Sequence, residues 1–339
     1  MVRSVDELEE LLSRPGPELI KDLSGLDGDL VVLGAAGKMG PSLVRLAVRA
    51  VQAAGTGARV HAVSRFSSAG SAQAMRETGA EVIAADVTDN AALRSLPDAA
   101  NVIYLVGAKF GTAGNEPGTW ATNTYLPGRV AERYAGSRIV ALSTGNVYPL
   151  TSPDSGGPTE DHPVGPVGEY AMSCLGRERI FSYFASQQGT PTSLIRLNYA
   201  IEPRYGVLVD IAQKARDQRP VDVTMGYVNV IWQGYANEVI LRSLLRASVP
   251  PFVLNLTGTK TLSVRKLAED LGRRSGVKIN VTGTEAETAL LSNATRCQEL
   301  FGAPAVSTDE LLDMITGWLD AGLPLLDKPT KFESRDGRF

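Results

Sequence analysis

Residues 29–54 read DLVVLGAAGKMGPSLVRLAVRAVQAA, and the order of local structure they impose decides the fold. Leu30, Val31, Val32 and Leu33 form a short unbroken apolar run, as a parallel strand covered on both faces requires. The run passes directly into Gly34-Ala35-Ala36-Gly37-Lys38-Met39-Gly40 and then into an alanine-, leucine- and valine-rich helix. Gly34 permits a tight turn, Gly37 lets backbone approach a pyrophosphate, and Gly40 lets the helix pack on the strand. Lys38 and Met39, inside the turn, belong to the same cofactor cradle. Strand, glycine turn and helix in this order read as a dinucleotide site. The spacing is G-x-x-G-x-x-G, not the commoner G-x-G-x-x-G, so a plain glycine-rich α/β connection is the competing reading from this stretch alone.

Composition narrows the field. The chain has 339 residues, 43% apolar and 21% charged, with a formal net charge of −3, as expected of a globular protein. There is no long basic run, so no nucleic-acid partner is expected, and no apolar stretch of membrane-spanning length. The first residues, MVRSVDELEELLSRP, are acidic and amphipathic; Ser4 and Glu7 read as a capping box on a short helix ended by Pro15. Cys174 and Cys297 are too few for a disulfide framework, and a reducing cytoplasm is the expected setting. His61 and His162 form no metal-ligand pattern, and no metal site is expected.

Outward from the first unit, strands and helices alternate. Strands are expected at Arg59–Arg65, Glu81–Ala85, Asn101–Val106, Arg138–Thr144 and Thr192–Asn198, and helices at Ala69–Thr78, Gly118–Tyr134 and Val167–Gln187. That pattern predicts a Rossmann-type doubly wound parallel sheet in an α/β fold, with a smaller C-terminal α/β substrate lobe. The division is a helical extension over 1–28, a dinucleotide domain over 29–200 and a lobe over 201–325. Within the lobe, about 226–258 returns to the first sheet, through a strand Tyr227–Trp232, a helix Ala236–Ala247 and a strand Phe252–Gly258. A polar tail over 326–339 is expected to be extended or poorly ordered.

Two later segments carry a family resemblance. Ser143-Thr144-Gly145-Asn146-Val147-Tyr148 resembles the S-T/S-x-x-V-Y-G segment of the extended short-chain dehydrogenase/reductases, which include the sugar-nucleotide epimerases and dehydratases. Tyr170–Glu178, YAMSCLGRE, resembles their Y-x-x-x-K helix. Asp86-Val87, Gly107-Ala108-Lys109, Asn123, Pro158–Asp161 and Ser292–Pro304 fit the same template in order. The resemblance spans about residues 30–320. It implies Tyr170 as general acid/base, Thr144 as the hydroxyl partner on the substrate oxygen, and Asn123 as a further catalytic-site residue. It also puts Asp86, Val87, Gly107, Lys109, Tyr170 and Asn198 at the cofactor. It further implies a homodimer built on the helices after the fourth and fifth strands.

In that family the lysine four residues after the tyrosine lowers the phenol's pKa and holds the nicotinamide ribose; here the position is Cys174. A thiol offers neither the charge nor the strong donors of an ammonium. Three readings follow. Lys109, at the rim after the fourth strand, takes over as the cation; the oxidised nicotinamide's own charge tunes Tyr170; or chemistry is lost, leaving a dinucleotide-binding sensor or regulator.

Cofactor choice rests on Ser64 and Arg65 at the end of the second strand. NAD-selective folds carry an acidic residue there, whereas a guanidinium beside hydroxyls suits a 2′-phosphate. NADP is therefore expected, with NAD as the alternative. Gly145-Asn146 lacks the acidic pair that family dehydratases place after the threonine, which argues against dehydration. What remains is oxidoreduction or epimerisation of a sugar-like or sugar-nucleotide hydroxyl or ketone, with Asn146, Arg204 and Tyr205 toward the substrate.

Overall fold

The structure is a computed structural model and describes residues 2–111, 113–328 and 330–338. Seven strands make the central sheet: β1 (Leu30–Leu33), β2 (Val60–Ser64), β3 (Glu81–Ala84), β4 (Asn101–Tyr104), β5 (Arg138–Thr144), β6 (Thr192–Leu197) and β7 (Phe252–Leu256). All pair in parallel, in the order β7-β6-β5-β4-β1-β2-β3. The unbroken apolar run of β1 is explained by its two covered faces. Leu30 and Val32 join the core that holds Leu43 and Ala47, while Val31 and Leu33 join that of Val102 and Tyr104. The winding reverses between β1 and β4, so the carboxyl ends of these two strands open the crevice where such sheets bind ligands.

The helix Gly40–Ala54 begins at the last glycine of the turn, where a Cβ would overlap the carbonyl of Ala35. Gly34 sits at φ +88 beside the backbone of Val106, a conformation and an approach that favour glycine. The helical region after β4 runs through Glu116–Trp120, a π-turn at Ala121–Tyr125, and Leu126–Arg133. Pro127 accounts for the irregularity, because it has no N–H to give the preceding turn. The carbonyls of Thr122 and Asn123 are met from outside instead, by the Tyr104 hydroxyl at 3.4 Å and Arg177 Nε at 3.3 Å.

The lobe differs from expectation in detail. Only Tyr227–Val228 and Ile231–Trp232 are extended within the predicted strand; the first pairs with Leu262–Ser263 and the second with Ala200–Ile201. Asn229 separates them, its side chain donating to the Lys260 carbonyl and accepting from the Ser292 amide, both at 2.9 Å. β7 and the helix Gln233–Arg242 return to the Rossmann sheet and to the helix Gly40–Ala54.

The N-terminal extension forms two helices, Val5–Leu12 and Pro17–Ser24, and Leu8 and Leu12 enter the lobe core beside Trp318 and Ile211. The tail was expected to be extended or poorly ordered, and the second of these is corrected. Residues 330–337 are irregular but pinned: Phe332 is 1% exposed, and Thr330 gives Asp210 two hydrogen bonds at 2.8 and 2.5 Å. Arg335 donates to the Thr288 carbonyl at 2.6 Å. The tail is anchored by single buried contacts, which leave no periodicity to read.

Candidate active site

The crevice holds a cavity of about 260 Å³, floored by the glycine turn and walled by the ends of β4, β5 and β6. Gly34, Gly37, Lys38, Met39 and Gly40 line it at one end, and Gly107, Lys109, Thr144, Asn146 and Tyr170 at the other. Asn198 and Tyr205 complete the wall toward the lobe.

Thr144 ends β5, and the helix Gly168–Gln188 brings Tyr170 against it. Asn146 gives Thr144 Oγ1 two hydrogen bonds, from its backbone N–H at 3.2 Å and its side-chain amide at 2.9 Å. Those bonds occupy both acceptor positions of the hydroxyl and leave its proton to donate. Burial, and after it the neighbouring Cys174 thiol, push the Tyr170 phenol far above its ordinary pKa, while the Arg177 charge and the hydrogen bond with Thr144 pull it down. Gly145, between Thr144 and Asn146, is closely surrounded: a Cβ would lie 2.9 Å from Ser292 Oγ and 3.2 Å from Asn198 Cβ.

A buried polar network fixes these strands to the helix from beneath. Glu178 pairs with Arg196 at 2.8 Å and accepts from Ser143 Oγ at 2.5 Å. Arg196 donates to the Tyr148 hydroxyl at 2.7 Å, which donates to Asn255 at 2.8 Å. Tyr148 is thus a packing and hydrogen-bonding residue at the turn.

Cys174 lies one helical turn beyond Tyr170 and is fully buried. Burial raises the thiol's pKa, and Arg177 and Lys109 both act to lower it. Lys109 reaches from the rim after β4, donating to the Thr330 carbonyl at 3.4 Å; burial lowers its pKa to about 8. Lys38 leaves the glycine turn toward the lobe, donating to the Ala200 carbonyl at 2.9 Å over the Tyr205 ring, and burial lowers it to about 7.

Three expectations for site residues need restating. Asn123 does not line the cavity: its Oδ1 accepts from the Ala108 amide and from Arg177, both at 2.8 Å. Its Nδ2 donates to the Ala108 carbonyl and to Ser173 Oγ. It is a cross-link between helix and loop, with its amide fully engaged. Arg204 is not offered to a substrate anion either, because Glu202 and Glu9 hold its guanidinium at 3.0 and 2.6 Å. Ser64, Arg65, Asp86 and Val87 lie at the ends of β2 and β3, outside the enclosed cavity; Arg65 lies near enough to help lower the Asp86 pKa, after the hydrogen bonds from Thr88.

Arg177, Tyr199 and Thr330 line the cavity although the sequence reading passed over them. Arg177 had a readable signal, since it lies three residues after Cys174 and seven after Tyr170, on one helix face.

A dinucleotide fits the residues present. Gly37 faces the cleft with only the Gly34 carbonyl near its missing side chain, at 3.1 Å. Asn198, 2% exposed, presents a buried side-chain nitrogen with no partner among the described residues, so a ligand in the cavity would satisfy it.

Comparison with known proteins agrees with this architecture. The family model for the NAD dependent epimerase/dehydratase family matches residues 30–221. Among solved structures, the chain is similar to UDP-glucose 4-epimerase from Thermotoga maritima, solved with UDP-glucose. The TM-score is 0.72 at 16% identity, covering 87% of this chain and 99% of that one. The UDP-glucuronic acid 4-epimerase of Bacillus cereus, solved with NAD, gives 0.71 at 16% identity, over 86% and 98% of the two chains. The epimerase Mth375 of Methanothermobacter thermautotrophicus gives 0.71 at 19%, over 90% and 96%. No curated protein matches in sequence. With more than half of its length matched by the family model and the crevice built as described, the chain belongs to the NAD dependent epimerase/dehydratase family and is an NAD-dependent enzyme of that type.

Proposed function

We propose that the protein oxidises and re-reduces, or epimerises, a hydroxyl-bearing carbon of a sugar nucleotide, with Tyr170 as general acid/base. The observation that carries this reading is the Thr144–Tyr170 pair on the wall of a cavity whose floor is a dinucleotide turn. A bound nicotinamide supplies the acceptor and donor of hydride. Tyr170 takes the proton of the substrate hydroxyl as the carbonyl forms and returns it on reduction. Thr144, its acceptor positions filled by Asn146, donates to the same oxygen and steadies the charge that grows there. Gly145-Asn146 puts no carboxylate after the threonine, which supports a reaction without elimination of water.

NADP is the proposed cofactor form, with Arg65 reading the 2′-phosphate at the exposed end of β2. A sugar nucleotide is the proposed substrate because solved neighbours of this fold carry UDP-glucose and NAD. The chain is proposed to act as a homodimer through the helical region Glu116–Arg133 after β4 and the helix Gly168–Gln188.

The test is incubation with UDP-glucose or UDP-glucuronic acid and NAD or NADP, followed by NMR of the sugar. Conversion by the wild type and loss of about 10²–10⁴-fold in Tyr170→Phe is expected. Unchanged turnover in Tyr170→Phe overturns the assignment of the acid/base. Tight dinucleotide binding with no conversion of any hexose nucleotide returns the protein to the sensor reading.

A further inference from the structure

Arg177 is a guanidinium buried to 5% exposure on the helix that carries Tyr170. Its donors meet neutral oxygens: Nη1 to the Leu142 carbonyl at 2.6 Å, Nη2 to Asn123 Oδ1 at 2.8 Å, and Nε to the Asn123 carbonyl at 3.3 Å. Among the described residues no carboxylate lies within ion-pair distance of it, since neighbouring Glu178 is committed to Arg196. The guanidinium lines the same cavity as Tyr170 and Gly107. Its Nη2 would stand 2.9 Å from a Cβ at position 107, so only glycine leaves it that place. A buried cation fastened by neutral acceptors keeps its full charge and is costly to the fold unless something anionic forms beside it.

We propose that Arg177 is the positioning cation of this site: it holds the positive field under which Tyr170 gives up and regains its proton, in the place of the absent lysine at 174. This rests on Tyr170 being the acid/base. The ionisable groups acting on that phenol are Cys174 and Arg177 on its own helix; Tyr104 and Glu178 act in turn on Arg177, and Lys38, Lys109, Tyr199 and Tyr205 line the rest of the cavity. Of these, Arg177 has a charge that stays on across the whole working pH range. Lys109, lowered to about 8, is a charge that titrates within it. Both cations act on the Cys174 thiol, and Arg177 Nε takes up the Asn123 carbonyl, to which Pro127 has no N–H to donate.

The test reads ionisation directly in NADP-loaded protein, as the alkaline phenolate absorbance of wild type minus that of Tyr170→Phe. Arg177→Met is expected to move the Tyr170 midpoint upward by about one pH unit or more. Asn123→Asp is expected to move it the same way with Arg177 retained, by supplying the missing counter-charge. The two variants disturb the fold differently, so either one, folded by circular dichroism, decides. Cys174→Lys added to Arg177→Met is expected to bring the midpoint back down. An unshifted midpoint in a folded variant overturns the proposal and leaves Arg177 a packing residue, whose loss would lower Tm alone. The titration needs no turnover, so the inference and the acid/base reading fail separately: Tyr170→Phe turnover tests one, the midpoint tests the other.

Discussion

Asn146 holds Thr144 by two hydrogen bonds to one oxygen, at 3.2 Å through the backbone and 2.9 Å through the side chain. The arrangement orients a hydroxyl proton rather than merely capping a turn. Thr144→Val is therefore expected to lower kcat by about 10²–10³-fold, the scale of one lost donor to a developing oxyanion, with little change in dinucleotide affinity. Asn146→Leu, which keeps the backbone bond, is expected to fall between wild type and Thr144→Val. Steady-state kinetics on the converted sugar nucleotide checks both; a Thr144→Val enzyme as fast as wild type contradicts the role.

The glycines of the turn separate ligand binding from folding. Gly37 has only the Gly34 carbonyl nearby, whereas a Cβ at Gly40 collides with the Ala35 backbone. Gly37→Val is expected to retain the apo-protein's Tm and lose measurable NADP(H) binding by calorimetry. Gly40→Val is expected to lower Tm with no ligand present. Undiminished affinity in Gly37→Val would falsify the cofactor site.

Arg65 discriminates between cofactors in the proposed reading. Arg65→Ala is expected to weaken NADPH by about 1–3 kcal/mol, the range for a hydrogen bond to a charged group, and to leave NADH nearly untouched. Equal losses for both dinucleotides would show that the guanidinium contacts adenine or nothing.

The half-buried lysine of the turn gives a pH dependence. The folded-state pKa of Lys38 is lowered by burial from 10.5 to about 7. Between these values the unfolded chain binds the proton that the folded chain has released, so stability rises with pH across that window and falls as pH drops through it. Lys38→Met is expected to flatten the slope of urea-unfolding free energy from pH 7 toward pH 10. A slope identical to wild type shows that Lys38 keeps its proton in the fold.

Two aromatic side chains mark the proposed dimer face, Tyr125 at 66% exposure and Tyr183 at 58%, on adjoining helices. Tyr183→Glu combined with Tyr125→Glu is expected to halve the mass seen by light scattering without lowering monomer stability by more than about 1 kcal/mol. A wild type that already scatters as a monomer removes this expectation.

The sheet was legible because each of its strands is a covered or alternating apolar run next to a turn signal, and β1 with its glycines shows this most plainly. That Tyr170 and Thr144 would meet on the cavity wall was legible from local motifs. Arg204 was misread because its partner Glu9 comes from a helix far earlier in the chain, and no local pattern announces that pairing. Asn123 was read as a site residue, but the contacts that occupy its amide come from the loop after β4 and from the tyrosine helix. The tail lacked any period because its hold depends on a few residues, Thr330 on Asp210 and Phe332 in the lobe core.

Pro127 does not line the cavity, yet it leaves vacant the carbonyl that Arg177 Nε occupies. A protein engineer straightening this helix with alanine would follow sound practice for raising thermal tolerance. Here the new amide proton would compete with the guanidinium for its seat. An improvement in the scaffold would thus be felt as a change in acid–base chemistry one helix away, and helix Leu126–Arg133 is best left out of any stabilising library.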